Sequence, residues 1–209
     1  MAEQRCVCNK CHPKLRLLKV PVVWMIGPPG SGKTTQCDKI VAAYGFQHIS
    51  TSHLVSRQLL NPYRSTSTSI LSVGTYGGSM YTDVAAKKLI DDIKFKSETA
   101  KGFIVDGYPR STAQAAMFEV GVGRLDLILA LDIAPETLLK RNLVGSDITL
   151  QDNDDLDDPD VVAENLARFE SVKEGLIEIY HDKVKIINAN KPPDEVFNAI
   201  NKYLMQIDD

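Results

Sequence analysis

No apolar run in this chain approaches the about 20 residues that a helix needs to cross a bilayer. The first residues also lack the uninterrupted apolar stretch of a secretion signal, so we expect a cytoplasmic protein with no membrane contact. An excess of one charge is missing too, because 24 Lys and Arg stand against 27 Asp and Glu. The net charge of −3 gives no electrostatic argument for a nucleic-acid partner.

Cysteine is rare, and three of the four cysteines lie beside a histidine near the start, at Cys6, Cys8, Cys11 and His12. Residues 8–12 match the C-x-x-C-H pattern of covalent haem attachment, but that chemistry needs an export signal that the sequence lacks. A metal site here would have crowded ligands and no second half. The interpretation that we favour for residues 1–19 is a flexible basic tail with reduced cysteines.

Apolar, β-branched runs alternate with stretches of helical spacing through residues 20–209, which are enough for one α/β domain. The runs predict strands at 20–26, 46–49, 102–106, 125–132 and 184–188. Helices are predicted at 33–44, 52–60, 82–96, 112–119, 135–142, 160–181 and 193–205. This order favours a five-stranded parallel sheet with helices on both faces, a three-layer sandwich that binds ligands at the carboxyl ends of its strands.

One motif points to a specific ligand. Residues 27–34 fit G-x-x-x-x-G-K-[ST] without a mismatch and lie between a predicted strand and a predicted helix. In such a P-loop, backbone N–H groups and a helix N-terminus surround phosphate oxygens, and the lysine adds a full positive charge. We therefore expect ATP or a similar triphosphate to bind to Gly27, Pro28, Pro29, Gly30, Ser31, Gly32, Lys33, Thr34 and Thr35.

Three segments carry a resemblance to a known family: GPPGSGKTTQ at 27–36, HISTSHL at 48–54 and GFIVDGYPRSTAQA at 102–115. With weaker similarity at 129–141 and 157–162, the chain resembles the adenylate kinases over about residues 20–206. The resemblance implies transfer of the γ-phosphoryl group of ATP to AMP with Mg²⁺. It also implies two insertions, an acceptor-binding segment at about 50–81 and a lid at about 142–165.

The same resemblance implies roles for individual residues. Lys33 would contact the β- and γ-phosphates, and Asp106 would hold Mg²⁺. Thr34 stands at the hydroxyl position of the general G-x-x-x-x-G-K-[ST] motif, where it can contact Mg²⁺, whereas the family usually carries glycine there and threonine next. On the acceptor side, Arg110 would bind the AMP phosphate and Gln114 would contact adenine. The other positions that the resemblance suggests are Thr51, Arg57 and Gly107 for the acceptor and Arg141 as a catalytic lid arginine.

The resemblance breaks at the acceptor loop and in the lid. Ser52 and His53 stand where the family carries glycine and aspartate, and Arg57 is one position late for the family's arginine. Two further lid arginines of the family fall on Asp155 and Asn165. Since residues 142–165 contain seven aspartates and no Lys or Arg, this segment is either a solvated loop or a site that recruits Mg²⁺ or a basic partner.

Three hypotheses about function follow. The first is an active, monomeric adenylate kinase in which Arg57, Arg124 or Arg168 replaces the missing cations when the crevice closes. The second is a pseudoenzyme that binds nucleotides and signals or scaffolds. The third is a uridylate/cytidylate kinase, against which Thr51 and Gln114 argue because they favour AMP as the acceptor.

Overall fold

The computed structural model describes residues 18–51, 79–144 and 158–207 of the chain. Five strands lie in these ranges: β1 (Val22–Ile26), β2 (Gln47–Ser50), β3 (Phe103–Asp106), β4 (Leu127–Asp132) and β5 (Val184–Asn188). The helices of the same ranges are α1 (Lys33–Tyr44), α2 (Ser79–Lys96), α3 (Thr112–Val122), α4 (Pro135–Val144), α5 (Pro159–Tyr180) and α6 (Pro193–Leu204).

These elements confirm the predicted α/β architecture. Each strand lies within two residues of its predicted limits, and each of the helices within three. The helix predicted at 52–60 lies outside the described residues, as do most of the two predicted insertions and the tail. Within the described part of the chain, none of the helices combines the length and the apolar character needed to cross a bilayer.

The five strands form one parallel sheet in the order β2-β3-β1-β4-β5. After β1 the chain forms the edge strand β2 and then returns to form β3, which lies between β2 and β1. It next crosses to the other side of β1, where it forms β4 and the second edge strand, β5. Strand order therefore reverses around β1, which is where a parallel sheet opens a crevice at its carboxyl edge. The register pairs Met25 of β1 with Asp106 of β3, so both strands end at this crevice.

Alternation along β1 divides the core into two layers. Trp24 points to the layer beneath α2, α3 and α5, whereas Val23 and Met25 point to the layer beneath α1 and α6. The Trp24 ring meets Tyr108, Phe118 and Tyr180 edge to face, with ring centroids 5.1–5.9 Å apart. Such pairs contribute about 0.5–1.5 kcal/mol each beyond the burial of their area. These ring contacts hold β1, and with it the start of the loop that follows β1, in a fixed position.

Candidate active site

The glycine loop connects β1 to α1 at the carboxyl edge of the sheet. Gly30 and Gly32 have φ values of +77° and +91°, a backbone region that residues with a side chain rarely adopt. At Gly27 a Cβ atom would lie 2.6 Å from Ser31 Oγ and 3.1 Å from Leu131 Cβ. Glycine at these positions therefore lets the backbone curl tightly in front of the N-terminus of α1.

Lys33 is the first residue of α1, and its side chain folds back along the loop. Its ammonium donates hydrogen bonds to the carbonyl oxygens of Gly27, at 3.0 Å, and Pro28, at 2.9 Å. Burial lowers the pKa of Lys33, although the nearby Asp106 carboxylate acts in the opposite direction. The loop thus holds a cation whose present partners are neutral carbonyls, so an anionic phosphate would be a better partner.

Asp106, the last residue of β3, lies across the crevice from the start of α1. The Thr34 hydroxyl donates a hydrogen bond to Asp106 Oδ2 at 3.1 Å, and His48 Nε2 lies 3.6 Å from the same oxygen. Burial alone would raise the pKa of Asp106, but the His48 imidazole, the Lys33 ammonium and the Thr34 hydroxyl outweigh it and lower the pKa. The carboxylate is therefore ionised at neutral pH.

A hydroxyl and a carboxylate are oxygen donors of the kind that Mg²⁺ prefers. Thr34 and Asp106 supply this pair in contact with one another, from a helix N-terminus and a strand end. Ser31 adds a buried hydroxyl that has no hydrogen-bond partner among the described residues. A phosphate in the loop would give this hydroxyl an acceptor, so the residues present fit a Mg²⁺–nucleotide.

The residues predicted to bind an acceptor lie just beyond Asp106. Gly107 has a φ of +72°, and its carbonyl accepts hydrogen bonds from the Thr51 hydroxyl at 3.1 Å and from Arg110 Nε at 3.4 Å. The Arg110 backbone N–H donates to Gln114 Oε1 at 2.8 Å. The structure therefore brings four of the five predicted acceptor residues together, and the fifth, Arg57, lies outside the described residues.

Gln114 is held in place from two sides. Its backbone N–H donates to Ser111 Oγ, the N-cap of α3, and its carbonyl accepts from the Tyr108 hydroxyl. Because a backbone N–H can only donate, the contact from Arg110 fixes which end of the Gln114 amide is oxygen. The other end is therefore the amide nitrogen, whose two N–H groups can donate hydrogen bonds to a nucleobase.

Arg141 of α4 lies beneath the glycine loop. Its guanidinium donates to the carbonyls of Ala189 at 2.7 Å, Ser31 at 3.3 Å and Lys191 at 3.4 Å. The side chain therefore bridges the loop after β1 and the loop after β5. A Cβ atom on Gly32 would lie 3.8 Å from Arg141 Nη1, which shows how close the cation comes to the N-terminus of α1.

Two other arginines were candidates for replacing the missing cations. Arg168 pairs with Glu164 one turn earlier on the exposed surface of α5. Arg124 pairs with Asp126 and donates to the carbonyls of Leu18 and Lys19.

Those contacts place Arg124 just before β1 and β4, at the amino edge of the sheet. The expectation that it could serve the crevice is wrong for this reason. Arg168 stays a candidate, and Asp155 of the predicted lid lies outside the described residues.

Sequence reasoning missed His48 and Cys37. His48 lies on β2 and Cys37 on α1, and their ligand atoms lie within 4.8 Å of an Asp106 oxygen and of each other. The parallel register pairs His48 with Ile104 of β3, so His48 and Asp106 share a face of the sheet. The pairing of β2 with β3 is what places His48 near Asp106, and the packing of α1 on the sheet is what places Cys37 there.

Comparisons with known proteins agree with this geometry. The family model for adenylate kinase matches residues 25–185. Adenylate kinase isoenzyme 1 of Sus scrofa is 31% identical over 204 residues, which cover 90% of this chain and 96% of that protein. The Caenorhabditis elegans protein of the same name is 32% identical, with 89% and 88% covered, and adenylate kinase 1 of Drosophila melanogaster is 29% identical, with 94% and 85% covered.

Proposed function

The chain belongs to the adenylate kinase family, and on that premise we propose that it transfers the γ-phosphoryl group of ATP to AMP, forming two molecules of ADP. One observation carries the proposal. The Lys33 ammonium, held by the glycine loop, and the Asp106–Thr34 oxygen pair occupy the same end of the sheet as Arg110. Phosphoryl transfer depends on aligning two anions and neutralising their charge, and this arrangement offers both.

On the donor side, the loop from Gly27 to Thr35 binds the phosphates of ATP. Its positive-φ glycines curl the backbone so that N–H groups and the N-terminus of α1 meet the anion. Lys33 exchanges its two carbonyl contacts for phosphate oxygens, and Ser31 gains an acceptor.

Thr34 and Asp106 are the residues that would hold Mg²⁺. The ion would supply positive charge that neutralises the phosphate oxygens. Asp106 contributes by staying ionised in a largely buried position, because His48, Lys33 and Thr34 stabilise its negative form. The residues around it orient the carboxylate and need no proton transfer of their own.

On the acceptor side, AMP binds between the loop after β3 and the start of α3. Arg110 binds the phosphate. Its backbone N–H donates to Gln114 and its Nε donates to the carbonyl of Gly107, and these two contacts orient the side chain. The Gln114 amide donates to the adenine ring. Thr51 closes the other side, tied by its hydroxyl to the carbonyls of Asp106 and Gly107.

A second candidate function is nucleotide binding without transfer. It is favoured by the position of the cations, because Arg124 lies at the far edge and Arg168 is paired with an exposed glutamate. Loss of a cation that acts in the transition state typically lowers phosphoryl-transfer rates by about 10³–10⁵-fold. In this case the donor loop keeps its affinity and the rate collapses.

The test measures ADP formation from ATP and AMP in the presence of Mg²⁺. We expect turnover in the wild type and a loss of about 10³-fold in Lys33→Met, because the point charge at the phosphates is removed. Lys39→Met is the matched control, since Lys39 lies on the same helix and pairs with the exposed Asp194 at 2.6 Å. Equal rates in the two variants would show that the loop lysine has no part in transfer.

The acceptor is tested by replacing AMP with UMP or CMP in the same assay. AMP should be the best acceptor, and Gln114→Ala should raise the KM for AMP more than it lowers kcat. A preference for UMP or CMP would reject the assignment of the acceptor. If MgATP raises the Tm of well-folded protein while no acceptor yields ADP above background, the second candidate replaces the first.

A further inference from the structure

Cys37, His48 and Asp106 come together from three separate elements: the second turn of α1, the middle of β2 and the end of β3. Their ligand atoms all lie within 4.8 Å of one another. We propose that these three side chains form a binding site for a thiophilic divalent cation of the zinc type. Occupation of this site withdraws Asp106 from the phosphate-binding crevice and inhibits phosphoryl transfer, a consequence that rests on the function proposed above.

The distances are close to those that a tetrahedral zinc ion imposes. Zinc bonds of about 2.0–2.3 Å place neighbouring ligand atoms about 3.3–3.8 Å apart. His48 Nε2 and Asp106 Oδ2 are already 3.6 Å apart, and contraction of the longest separation by about 1 Å would complete the set. Three protein ligands leave the fourth position for water, as in zinc sites that remain accessible.

The state of His48 is the second observation. Its Nε2 atom is buried and has no hydrogen-bond partner among the described residues. A separation of 3.6 Å from Asp106 is too long for a hydrogen bond but suits two ligands on one metal. The Asp38 carboxylate lies 3.9 Å from the other ring nitrogen, Nδ1, and would orient the ring as an outer partner once Nε2 binds a metal.

The donor set selects against Mg²⁺. Burial raises the pKa of the Cys37 thiol, so the ion displaces the thiol proton to solvent when it binds. The resulting thiolate and the imidazole prefer zinc, cobalt or copper, whereas Mg²⁺ prefers the oxygen pair formed by Thr34 and Asp106. The two sites share Asp106 Oδ2, the oxygen that accepts from Thr34. A zinc ion on that oxygen therefore competes with the Thr34 contact. The His48 side chain is 19% exposed, more than the other two ligands, so an incoming ion would meet it before the buried Cys37.

The experiment starts from a full-length variant in which Cys6, Cys8 and Cys11 are changed to serine. Since the chain has four cysteines, Cys37 is then the only thiol, and the tail thiols cannot contribute to the signal. Co²⁺ is titrated without nucleotide, and absorption from thiolate-to-cobalt charge transfer is recorded. We expect one Co²⁺ per chain, with a band that one equivalent of Zn²⁺ removes.

Further substitutions in this background assign the ligands. Cys37→Ser should remove the band, while His48→Gln and Asp106→Asn should weaken metal affinity by about 100-fold or more, since loss of even an outer partner costs 10–100-fold. His181→Gln is the matched control, because that imidazole is 75% exposed and belongs to another part of the surface. Circular dichroism confirms that each variant is folded.

Two spectroscopic results would overturn the site. One is the absence of a band at millimolar Co²⁺ in folded protein, and the other is a band that His48→Gln leaves as strong as His181→Gln does. The latter would mean that Cys37 binds the ion without its neighbours.

Inhibition is measured separately with buffered free Zn²⁺ and excess Mg²⁺. Zinc should lower transfer in the three-serine background, and Cys37→Ser should shift the midpoint upward by about tenfold or more relative to its own zinc-free rate. Unchanged midpoints would refute the inhibitory role. If the protein transfers no phosphate at all, the inhibitory role fails together with the proposed function, while the cobalt band still decides the site.

Discussion

Replacement of Arg141 by alanine should weaken both the fold and the donor loop, because this side chain joins two loops at the carboxyl edge of the sheet. Its bond to Ala189 O, at 2.7 Å, is short and charge-assisted, whereas the bonds to Ser31 O and Lys191 O are 3.3–3.4 Å long. Hydrogen bonds to a charged group contribute about 1.5–3 kcal/mol each, and long ones less. We expect Arg141→Ala to lower the free energy of unfolding by about 2–3 kcal/mol.

Thermal unfolding of the nucleotide-free protein measures this loss. For a chain of this size, each kcal/mol of lost stability lowers Tm by about 2–4 °C, so the Tm of Arg141→Ala should be about 4–12 °C below that of the wild type. Arg141→Lys keeps the charge but has a single ammonium, which cannot span the three carbonyls, so about half of the loss should remain. Arg168→Ala is the control, since its exposed pair with Glu164 contributes about 0.3–0.5 kcal/mol.

The same variants separate bridging from simple charge. Because Ser31 lies in the glycine loop, loss of the bridge should also reduce the rise in Tm that MgATP produces, even in Arg141→Lys. If Arg141→Lys recovers the full nucleotide effect, the arginine acts as a charge and not as a bridge. Equal Tm values for Arg141→Ala and Arg168→Ala would show that the three carbonyl contacts stabilise nothing.

Three further predictions concern the acceptor loop, an ion pair and the metal. Gly107 has a φ of +72°, and a Cβ atom there would lie 3.1 Å from Thr51 Oγ1, so Gly107→Ala should strain the loop by about 1–2 kcal/mol. This variant should bind AMP more weakly and ATP as well as the wild type does. Equal losses of affinity for both nucleotides in calorimetric titrations would contradict this. Burial alone would lower the pKa of Lys173, but Glu170 and Asp132 raise it, so its stabilising effect should be complete below pH 10.5, the pKa of the unfolded state, and disappear as the pH rises through the folded-state pKa. Denaturant unfolding should therefore show Lys173→Met and wild type converging at high pH, and a constant difference would refute the assignment. Excess EDTA should stop ADP formation and added Mg²⁺ should restore it, and a full rate in EDTA would exclude a role for the ion.

Much of the fold could be predicted because the sequence repeats two simple periodicities. Apolar, β-branched runs such as 103–106 have few alternatives to a buried strand, and a glycine loop between a strand and a helix fixes where phosphate can bind. The position of Asp106 followed from the same reasoning, since the last residue of a parallel strand lies at the ligand edge. Local patterns were therefore sufficient for the donor loop and its facing carboxylate.

The rest depended on pairing and docking that no local pattern records. His48 approaches Asp106 only because β2 pairs with β3 in the observed register, and Arg141 reaches Ser31 only because α4 packs beneath the glycine loop. Arg124 is different, because its place before a predicted strand already put it at the amino edge of a parallel sheet. Following strand direction from the start would have removed it from the candidates.

The contacts of Arg124 and Asp126 determine which part of the fold bears the load when the protein is attached to a surface or to another domain through residues before Leu18. Arg124 binds the carbonyls of Leu18 and Lys19, and Asp126 accepts the Val22 N–H at 2.8 Å. These contacts anchor the chain just before β1. The five residues of β1, at about 3.3 Å each, separate this anchor from the glycine loop by about 16 Å. A support, tag or fused domain joined ahead of Leu18 would pull on that anchor at the rear of the sheet and leave the nucleotide crevice facing outward.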